Sequence, residues 1–168
     1  MNALDVQRIA HRLYRARVPV VPHLLRRAVQ VVFSSVIPPE LAVGEGTRLG
    51  YGGLGVVIHR EAKIGRWCLI AQQVTIGGRS GYTGAPRLGD CVLVGAGAKL
   101  LGPIEIGDYA VIGANAVVLD DVPAGAVVGG IPAHPLPASE AAREAYRREM
   151  KLHFGIEVPE PAAAGVAG

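Results

Sequence analysis

Histidine is the side chain best suited to take a proton from a hydroxyl group near neutral pH. Three of the five histidines, His11, His23 and His153, lie in predicted helices, where packing or a surface role accounts for them. A fourth, His134, follows the last repeat unit, where it has either a structural role or a contact with a cofactor. His59 is different, because it stands three repeat units before Gly77, where the unusual segment "GGRSGYTGAPR" (77–87) begins. We expect His59 to lie at the root of a loop and to act as a general base; a turn-capping or interface histidine is the alternative.

A six-residue repeat must position this histidine. Aliphatic residues recur every six positions from Ile58 to Ala124 except at Tyr82, and are expected to point inward; the fifth position of each unit is mostly small or β-branched. Neither a helix nor a strand has that period, so the pattern predicts short extended segments joined by turns. With three units per coil, the segments stack about 4.8 Å apart, and residues separated by three units lie one above another. His59 then lies beneath Gly77, where we expect two whole units, about twelve residues, to leave the coil.

The composition agrees with a single main domain of this kind. The chain has 168 residues, of which 23 are glycine and 5% are aromatic, so the core must be filled by small aliphatic side chains between tight turns. Two cysteines exclude a disulfide framework and show no metal-ligand spacing. Neither a signal peptide nor a membrane span is visible, so we expect a cytoplasmic protein. No metal is expected, and the absence of basic runs with interleaved aromatic residues predicts no nucleic-acid partner.

Helices flank the repeat. Short helices are predicted over residues 4–17 and 23–33 and a final helix over 138–153. The predicted domains are 1–36 (N-terminal helices), 37–135 (the repeat with an excursion loop at 77–87) and 136–168 (C-terminal helix and disordered tail). Residues 1–36 contain six arginines against a single acid, Asp5. This imbalance indicates either solvated helix faces or contact with an anionic membrane surface.

Three segments carry a resemblance to a known family. "VTIGGRSG", "VGAGAKLLGPIEIG" and "VIGANAVVLDDVPAGAVVGGIPA" resemble the hexapeptide-repeat acyltransferases, and the order "GLGVVIH", "VTIGG", "GAGAKLLG", "GGIPA" is similar to that of serine acetyltransferases. The resemblance covers about residues 35–135. It implies an all-β solenoid, a left-handed parallel β-helix with short terminal helices, assembled as a homotrimer with active sites between subunits.

The same resemblance implies a function. It predicts acetyl transfer from acetyl-CoA to a hydroxyl, with serine as the first acceptor and a place in cysteine biosynthesis. O-acetylation of a sugar or polysaccharide hydroxyl and a non-catalytic trimeric scaffold are the alternatives. Cys68 occupies an inward position and is interpreted as a core residue, so direct transfer without an acyl-enzyme is expected.

The resemblance assigns ten residues to coenzyme A: Gly77, Gly78, Gly95, Ala96, Gly97, Ala98, Lys99, Gly113, Ala114 and Pro132. In the segment "GAGAKLLG" (95–102), the glycines and alanines have no side chain large enough to block backbone N–H groups from the coenzyme. Lys99 either contacts a nucleotide phosphate or is solvated, and Pro132 resembles the family's terminal lid.

The catalytic histidines of the family do not carry over. The family's Asp-His pair corresponds to Gly50 and Tyr51, and its second histidine, in the loop, corresponds to Ala85. We therefore expect His59 to be the base, with Tyr51 and Tyr82 as catalytic hydrogen-bonding or substrate-contacting groups.

Two arginines, Arg79 and Arg87, bracket the loop. An arginine fork is the usual partner of a carboxylate, so either could hold the carboxylate of a serine acceptor. With a sugar acceptor, both would be solvent-exposed.

Overall fold

The computed structural model describes residues 2–137 and 139–155. The chain divides into two compact units, 1–136 and 137–168. The second unit contains the helix α3 (Glu140–Phe154), which agrees with the helix predicted there. The tail predicted to be disordered, "PEPAAAGVAG" (159–168), lies outside the described residues.

The first unit begins with two helices, α1 (Ala3–Arg15) and α2 (Val21–Phe33). Short strands follow: β1 (Arg48–Leu49), β2 (Val57–Ile58), β3 (Lys63–Ile64), β4 (Leu69–Ile70), β5 (Thr75–Gly77), β6 (Arg87–Leu88), β7 (Leu93–Val94), β8 (Lys99–Leu101), β9 (Glu105–Ile106), β10 (Val111–Ile112), β11 (Val117–Val118), β12 (Val127–Gly129) and β13 (His134–Pro135). A 3₁₀ turn occupies Gly50–Gly53.

The strands form three sheets, which are the three faces of a solenoid. Sheet A has the order β2-β5-β8-β11, sheet B has β3-β6-β9, and sheet C has β1-β4-β7-β10-β12-β13. All pairs are parallel except β12 with β13. Up to β11, consecutive strands of the chain belong to consecutive sheets, so each coil crosses all three faces. The fold is the predicted left-handed parallel β-helix.

The length of a coil is not constant. Val57 pairs with Thr75, three repeat units further along the chain, but Lys63 pairs with Arg87, four units further along. The excursion therefore adds one unit to its coil, and the expectation of two was wrong. The reason is that its last residues, Ala85 and Pro86, are buried and already belong to the next corner of the coil.

Two smaller irregularities flank the regular coils. In the first coil, Arg48 pairs with Leu69, half a unit beyond the regular period, and the 3₁₀ turn Gly50–Gly53 lies in this longer coil. In the last coil, Val111 pairs with Val127, which is short of the regular period by a third of a unit. This shortening moves Ala124 to the surface, although the repeat had placed it inward.

The core is thin and aliphatic. The first position of nearly every unit is buried, from Ile58 at 2% exposure to Ile112 at 0%. At two of the three corners of the coil the fourth position takes a left-handed backbone even where it is not glycine, as at Gln73 (φ 60°) and Asn115 (φ 57°). That conformation costs about 1–2 kcal/mol for a residue with a Cβ, so the stacked coils must impose it.

Helix α1 is attached to the first coil by polar contacts. Its N-terminus is closed by a capping box, in which the Asn2 N–H donates to Asp5 Oδ2 at 3.1 Å. The buried Gln7 donates from Nε2 to Pro38 O at 3.2 Å and to Leu41 O at 2.9 Å. Both helices belong to the same compact unit as the coils. The domain boundary at 36/37 remains a prediction.

Candidate active site

His59 lies at the corner that joins sheet A to sheet B, called here the AB corner (residues 59–62, 78–86, 102–104 and 119–121). The His59 N–H donates to Ile76 O at 2.7 Å, which places the histidine immediately below Gly77. The loop 78–86 leaves the coil at this corner. The expected juxtaposition of His59 with the root of the loop is therefore present.

The His59 ring turns back onto its own corner. The backbone N–H of Glu61 donates to His59 Nδ1 at 3.3 Å. A neutral imidazole that accepts at Nδ1 carries its proton on Nε2, where it is a donor. In this conformation His59 caps a turn, as the alternative interpretation had it. Action as a base at Nε2 requires the proton to move to Nδ1 and the ring to leave the Glu61 N–H.

The excursion loop is folded on itself. The Arg79 guanidinium lies over the Tyr82 ring, 4.7 Å from the ring centroid, and the Tyr82 N–H donates to Arg79 O at 3.0 Å. Arg79 Nη1 also donates to Leu119 O at 3.4 Å, three coils above His59. Arg79 therefore holds the loop against the solenoid. Tyr82 is 56% exposed on the outer side of this loop.

A cavity of about 240 Å³ opens at the AB corner between the end of the loop and sheet B. Its lining residues are Glu61, Thr83, Gly84, Ala85, Arg87, Pro103, Ile104 and Glu105. Of the two predicted arginines, Arg87 lines this cavity and Arg79 does not. Arg87 is next to Glu105 in the register of sheet B, and Glu61 contributes the N–H that binds the His59 ring.

Sequence reasoning missed Glu61 and Glu105. Glu61 follows His59 closely in the same turn, and Glu105 follows Arg87 by three repeat units, one regular coil period. Both signals were present in the sequence. They were missed because outward charges in a solenoid are usually solvated, and only the loop turns this part of the surface into a cavity.

Within one chain, Tyr51 does not lie near His59. It lies in the 3₁₀ turn at a different corner, the one that joins sheet C to sheet A, called here the CA corner (residues 50–56, 71–74, 95–98 and 113–116). Its side chain is 83% exposed, and its backbone is left-handed (φ 48°). The width of sheet A separates Tyr51 from His59 and Tyr82.

The predicted coenzyme residues divide between these two corners. Gly77 and Gly78 lie at the AB corner, whereas 95–99 and 113–114 lie at or next to the CA corner. Pro132 follows a cis peptide bond in a segment beside β11, where the Val117 N–H donates to Gly130 O at 3.0 Å. The candidates therefore border sheet A on both sides and at its top.

Most of the N–H groups expected to be open to a ligand are already used. The N–H of Gly95 donates to Ile112 O at 2.8 Å, that of Gly97 to Gln72 O at 2.9 Å and that of Gly113 to Val128 O at 2.8 Å. These bonds stack one coil on the next, so the expectation of free donors at Gly95 and Gly97 was wrong, and Gly113 uses its N–H in the same way. A Cβ on Gly95 would lie 2.6 Å from Ala114 N, so stacking alone demands a glycine there.

Gly78 behaves differently. Within the described residues, no hydrogen bond takes its N–H, and the nearest atom to an added Cβ would be Gly84 O at 3.8 Å. Gly77 is similarly open, with no atom closer than 3.6 Å to an added Cβ. An open donor therefore lies one residue beyond the position directly above His59.

Lys99 has a defined contact. Its Nζ donates to Gln73 O at 2.9 Å, so the side chain lies across the outer face of sheet A toward the CA corner. A phosphate bound there would compete with a backbone carbonyl for this ammonium group.

The remaining histidines have structural or surface positions. His11 Nδ1 is 2.8 Å from Pro39 O, and His153 Nε2 is 3.1 Å from Glu149 Oε2. His134 is exposed in β13, next to Gly129 of β12. Across the residues that the structure describes, no group of three or more His, Cys, Asp or Glu side chains could hold a metal ion. Among the same residues, we find no helix with the length and apolar character of a membrane span.

Neither cysteine is suited to be a nucleophile. Cys68 is fully buried and its Sγ donates to Gly89 O at 3.2 Å. Burial raises the pKa of the Cys68 thiol to about 11, and burial also raises the pKa of Cys91. At neutral pH both are thiols, and a thiol is a poor nucleophile.

Comparison with known proteins places these features in context. Residues 85–120 match the family model of the bacterial transferase hexapeptide (six repeats). A serine acetyltransferase of Synechococcus elongatus is 46% identical over 133 residues, which are 78% of this chain and 54% of the relative. A serine acetyltransferase of Helicobacter pylori strain J99 is 39% identical over 135 residues, 79% of this chain and 78% of the relative.

Solved structures agree with the sequence relatives. A serine acetyltransferase in complex with CoA superposes with a TM-score of 0.73 at 36% identity, covering 80% of this chain and 55% of the other. The chain spans about half the length of several such relatives, including the cyanobacterial protein at 54%.

Proposed function

Since this chain belongs to the serine acetyltransferase family of hexapeptide-repeat transferases, we propose that it transfers an acetyl group from acetyl-CoA to the hydroxyl of L-serine. One observation carries the proposal beyond the family. The AB corner brings together His59, the open N–H of Gly78 and a cavity lined by Arg87, Glu61 and Glu105. A base, an oxyanion donor and a zwitterion site are the three parts that the reaction needs.

The cavity suits an amino acid acceptor. Arg87 offers a guanidinium for the serine carboxylate, and Glu61 and Glu105 offer carboxylates for its ammonium group. A volume of about 240 Å³ admits a molecule of this size. Because Glu61 also belongs to the His59 turn, a serine held here lies next to the turn that carries the imidazole.

The transfer follows from these positions. With its proton on Nδ1, His59 takes the serine hydroxyl proton at Nε2 while the serine oxygen attacks the thioester carbon. The Gly78 N–H stabilises the negative charge that develops on the carbonyl oxygen. Collapse of the tetrahedral intermediate breaks the carbon–sulfur bond, and the imidazolium returns the proton to the coenzyme A thiolate. The products are O-acetylserine and coenzyme A, with no acyl-enzyme.

The coenzyme is proposed to lie along the outer face of sheet A. The small residues proposed to contact it lie at both edges of that face, Pro132 lies at its top, and Lys99 lies across it. A homotrimer is proposed from the family, and Tyr51 keeps a catalytic role only if a neighbouring subunit brings it to the AB corner. A place in cysteine biosynthesis and a cytoplasmic location are part of the same proposal.

The decisive experiment measures thiol released from acetyl-CoA by the purified full chain. Release that depends on L-serine and is lost in His59→Ala would support the reaction and its base. Turnover with a sugar in place of serine would overturn the acceptor and keep the transferase. Coenzyme A binding without turnover on any acceptor would indicate a scaffold.

A further inference from the structure

Helix α2 has an apolar side that the fold leaves uncovered, called here the α2 stripe. It consists of Val21 (42% exposed), Leu24 (60%), Ala28, Val31 (83%) and Val32 (65%). At about 100° per residue these positions share one side of the helix over its whole length.

The α2 stripe is not the side that holds the helix to the protein. The buried residues of α2 are Pro22 and Val29, and Phe33 is half-buried against the core. Single exposed aliphatics are ordinary, but five along one side of a 13-residue helix form a continuous patch. Such a patch indicates a surface that is covered by something else.

The charge around the α2 stripe has one sign. Arg15 and Arg17 are exposed at the end of the helical hairpin, next to the exposed Val20, and Arg27 lies beside the stripe on α2. Residues 21–33 contain no acid. The single acid of residues 1–36, Asp5, is at the far end of α1, where it closes the capping box.

An apolar helix side with an arginine rim matches the surface of an anionic membrane. Aliphatic side chains enter the boundary between headgroups and acyl chains, while the arginines pair with lipid phosphates. Two copies of the stripe facing each other would instead bring Arg27 of each chain together, and like charges across an interface oppose association.

We propose that the α2 stripe, with Arg15, Arg17 and Arg27, binds the protein peripherally to membranes that contain anionic phospholipid. The α2 stripe includes no residue of the AB corner or of the strands of sheet A. The proposal does not depend on the identity of the acetyl acceptor.

The test is flotation of the full chain with two kinds of vesicle at about 0.1 M salt, one of phosphatidylcholine alone and one with about 30% phosphatidylglycerol. We expect binding to the anionic vesicles and little to the neutral ones. The double variant Leu24→Ser/Val31→Ser should lower the partition coefficient by about tenfold or more, since it removes two large apolar contacts. Arg15→Gln/Arg17→Gln should weaken binding and reduce its salt dependence.

A matched control is Leu152→Ser, which changes another exposed leucine, 73% exposed, on α3. It should bind vesicles like the unchanged protein. All variants should keep their far-UV circular dichroism and their thiol release, so that loss of binding is not loss of folding. Absence of flotation with anionic vesicles, or equal flotation of the stripe variant, would overturn the proposal. If the unchanged protein does not bind vesicles and light scattering gives the stripe variant a lower molar mass than the unchanged protein, a second copy covers the stripe.

Discussion

The N–H of Glu61 donates to Nδ1 of His59 at 3.3 Å, so the residue proposed as a base also closes the turn from which it projects. The bond is long and the turn is exposed, so little free energy opposes rotation of the ring. The ring can therefore leave the capping position, as its proposed role as a base requires.

Removing the imidazole should abolish most of the transfer. We expect His59→Ala to lower kcat for thiol release by about 10²- to 10⁴-fold, the usual contribution of a general base. The thermal midpoint should change little, because the lost hydrogen bond is weak and exposed. A variant with normal kcat would remove His59 from the mechanism and leave it as a turn cap.

Substitution of the two arginines that flank the loop should have different kinetic effects. Arg87→Gln should raise KM for serine by about tenfold to a hundredfold with a smaller effect on KM for acetyl-CoA, because a charged hydrogen-bonding partner of the carboxylate is lost. Arg79→Gln is the comparison, since Arg79 stacks on Tyr82 and binds Leu119 O. It should loosen the loop and lower kcat for every acceptor. Equal serine-specific effects of both changes would contradict the cavity assignment.

Two glycines should distinguish coil stacking from cofactor binding. Gly95→Ala places a Cβ 2.6 Å from Ala114 N. It should lower the free energy of unfolding by about 1–3 kcal/mol. Gly77→Ala meets nothing closer than 3.6 Å and should fold normally while raising KM for acetyl-CoA. Urea denaturation and initial rates measure the two effects. A stable Gly95→Ala protein would mean that the coils can separate without cost.

The stability at acid pH should depend on Asp90. Its Oδ1 accepts the Arg66 N–H at 2.7 Å and its Oδ2 the guanidinium at 2.6 Å, and these bonds lower the pKa of the Asp90 carboxyl. A lowered pKa in the folded state stabilises the protein above the unfolded-state pKa of about 4, and this contribution is lost as pH falls through the folded-state value. The pair is partly exposed, so we expect about 1 kcal/mol or less.

The measurement compares urea midpoints at pH 7 and at about pH 3. Asp90→Asn should be less stable than the unchanged chain at pH 7, and the difference should shrink at the lower pH. A constant difference would show that the ionised carboxylate contributes nothing.

The two cysteine thiols should be unreactive and should take no part in the transfer. With its pKa raised to about 11 by burial, Cys68 should resist iodoacetamide at pH 8 in the folded protein and react only on unfolding. Cys68→Ala and Cys91→Ser should retain thiol release from acetyl-CoA. Trapping of an acetylated cysteine by mass spectrometry would overturn direct transfer.

The site shows the limit of sequence reasoning at particular residues. Arg79 and Arg87 are equivalent in the sequence as flanks of one loop, but one folds back on Tyr82 and the other lines the cavity. Gly95 and Gly78 were both assigned to the coenzyme by resemblance, but only Gly78 has an N–H that no described residue accepts. Each distinction depends on which group of another coil or of the loop lies opposite.

The sequence by itself determined the solenoid, the inward positions and the location of His59 below Gly77, because a six-residue period specifies every coil by local chemistry. The tertiary structure decided how much chain the loop adds, which donors the stacking consumes and that Glu61 and Glu105 flank Arg87. It also placed Tyr51 on a different corner from His59. These features arise from contacts between coils, or between a loop and a coil, and a periodic pattern contains no information on what a break in the period will touch.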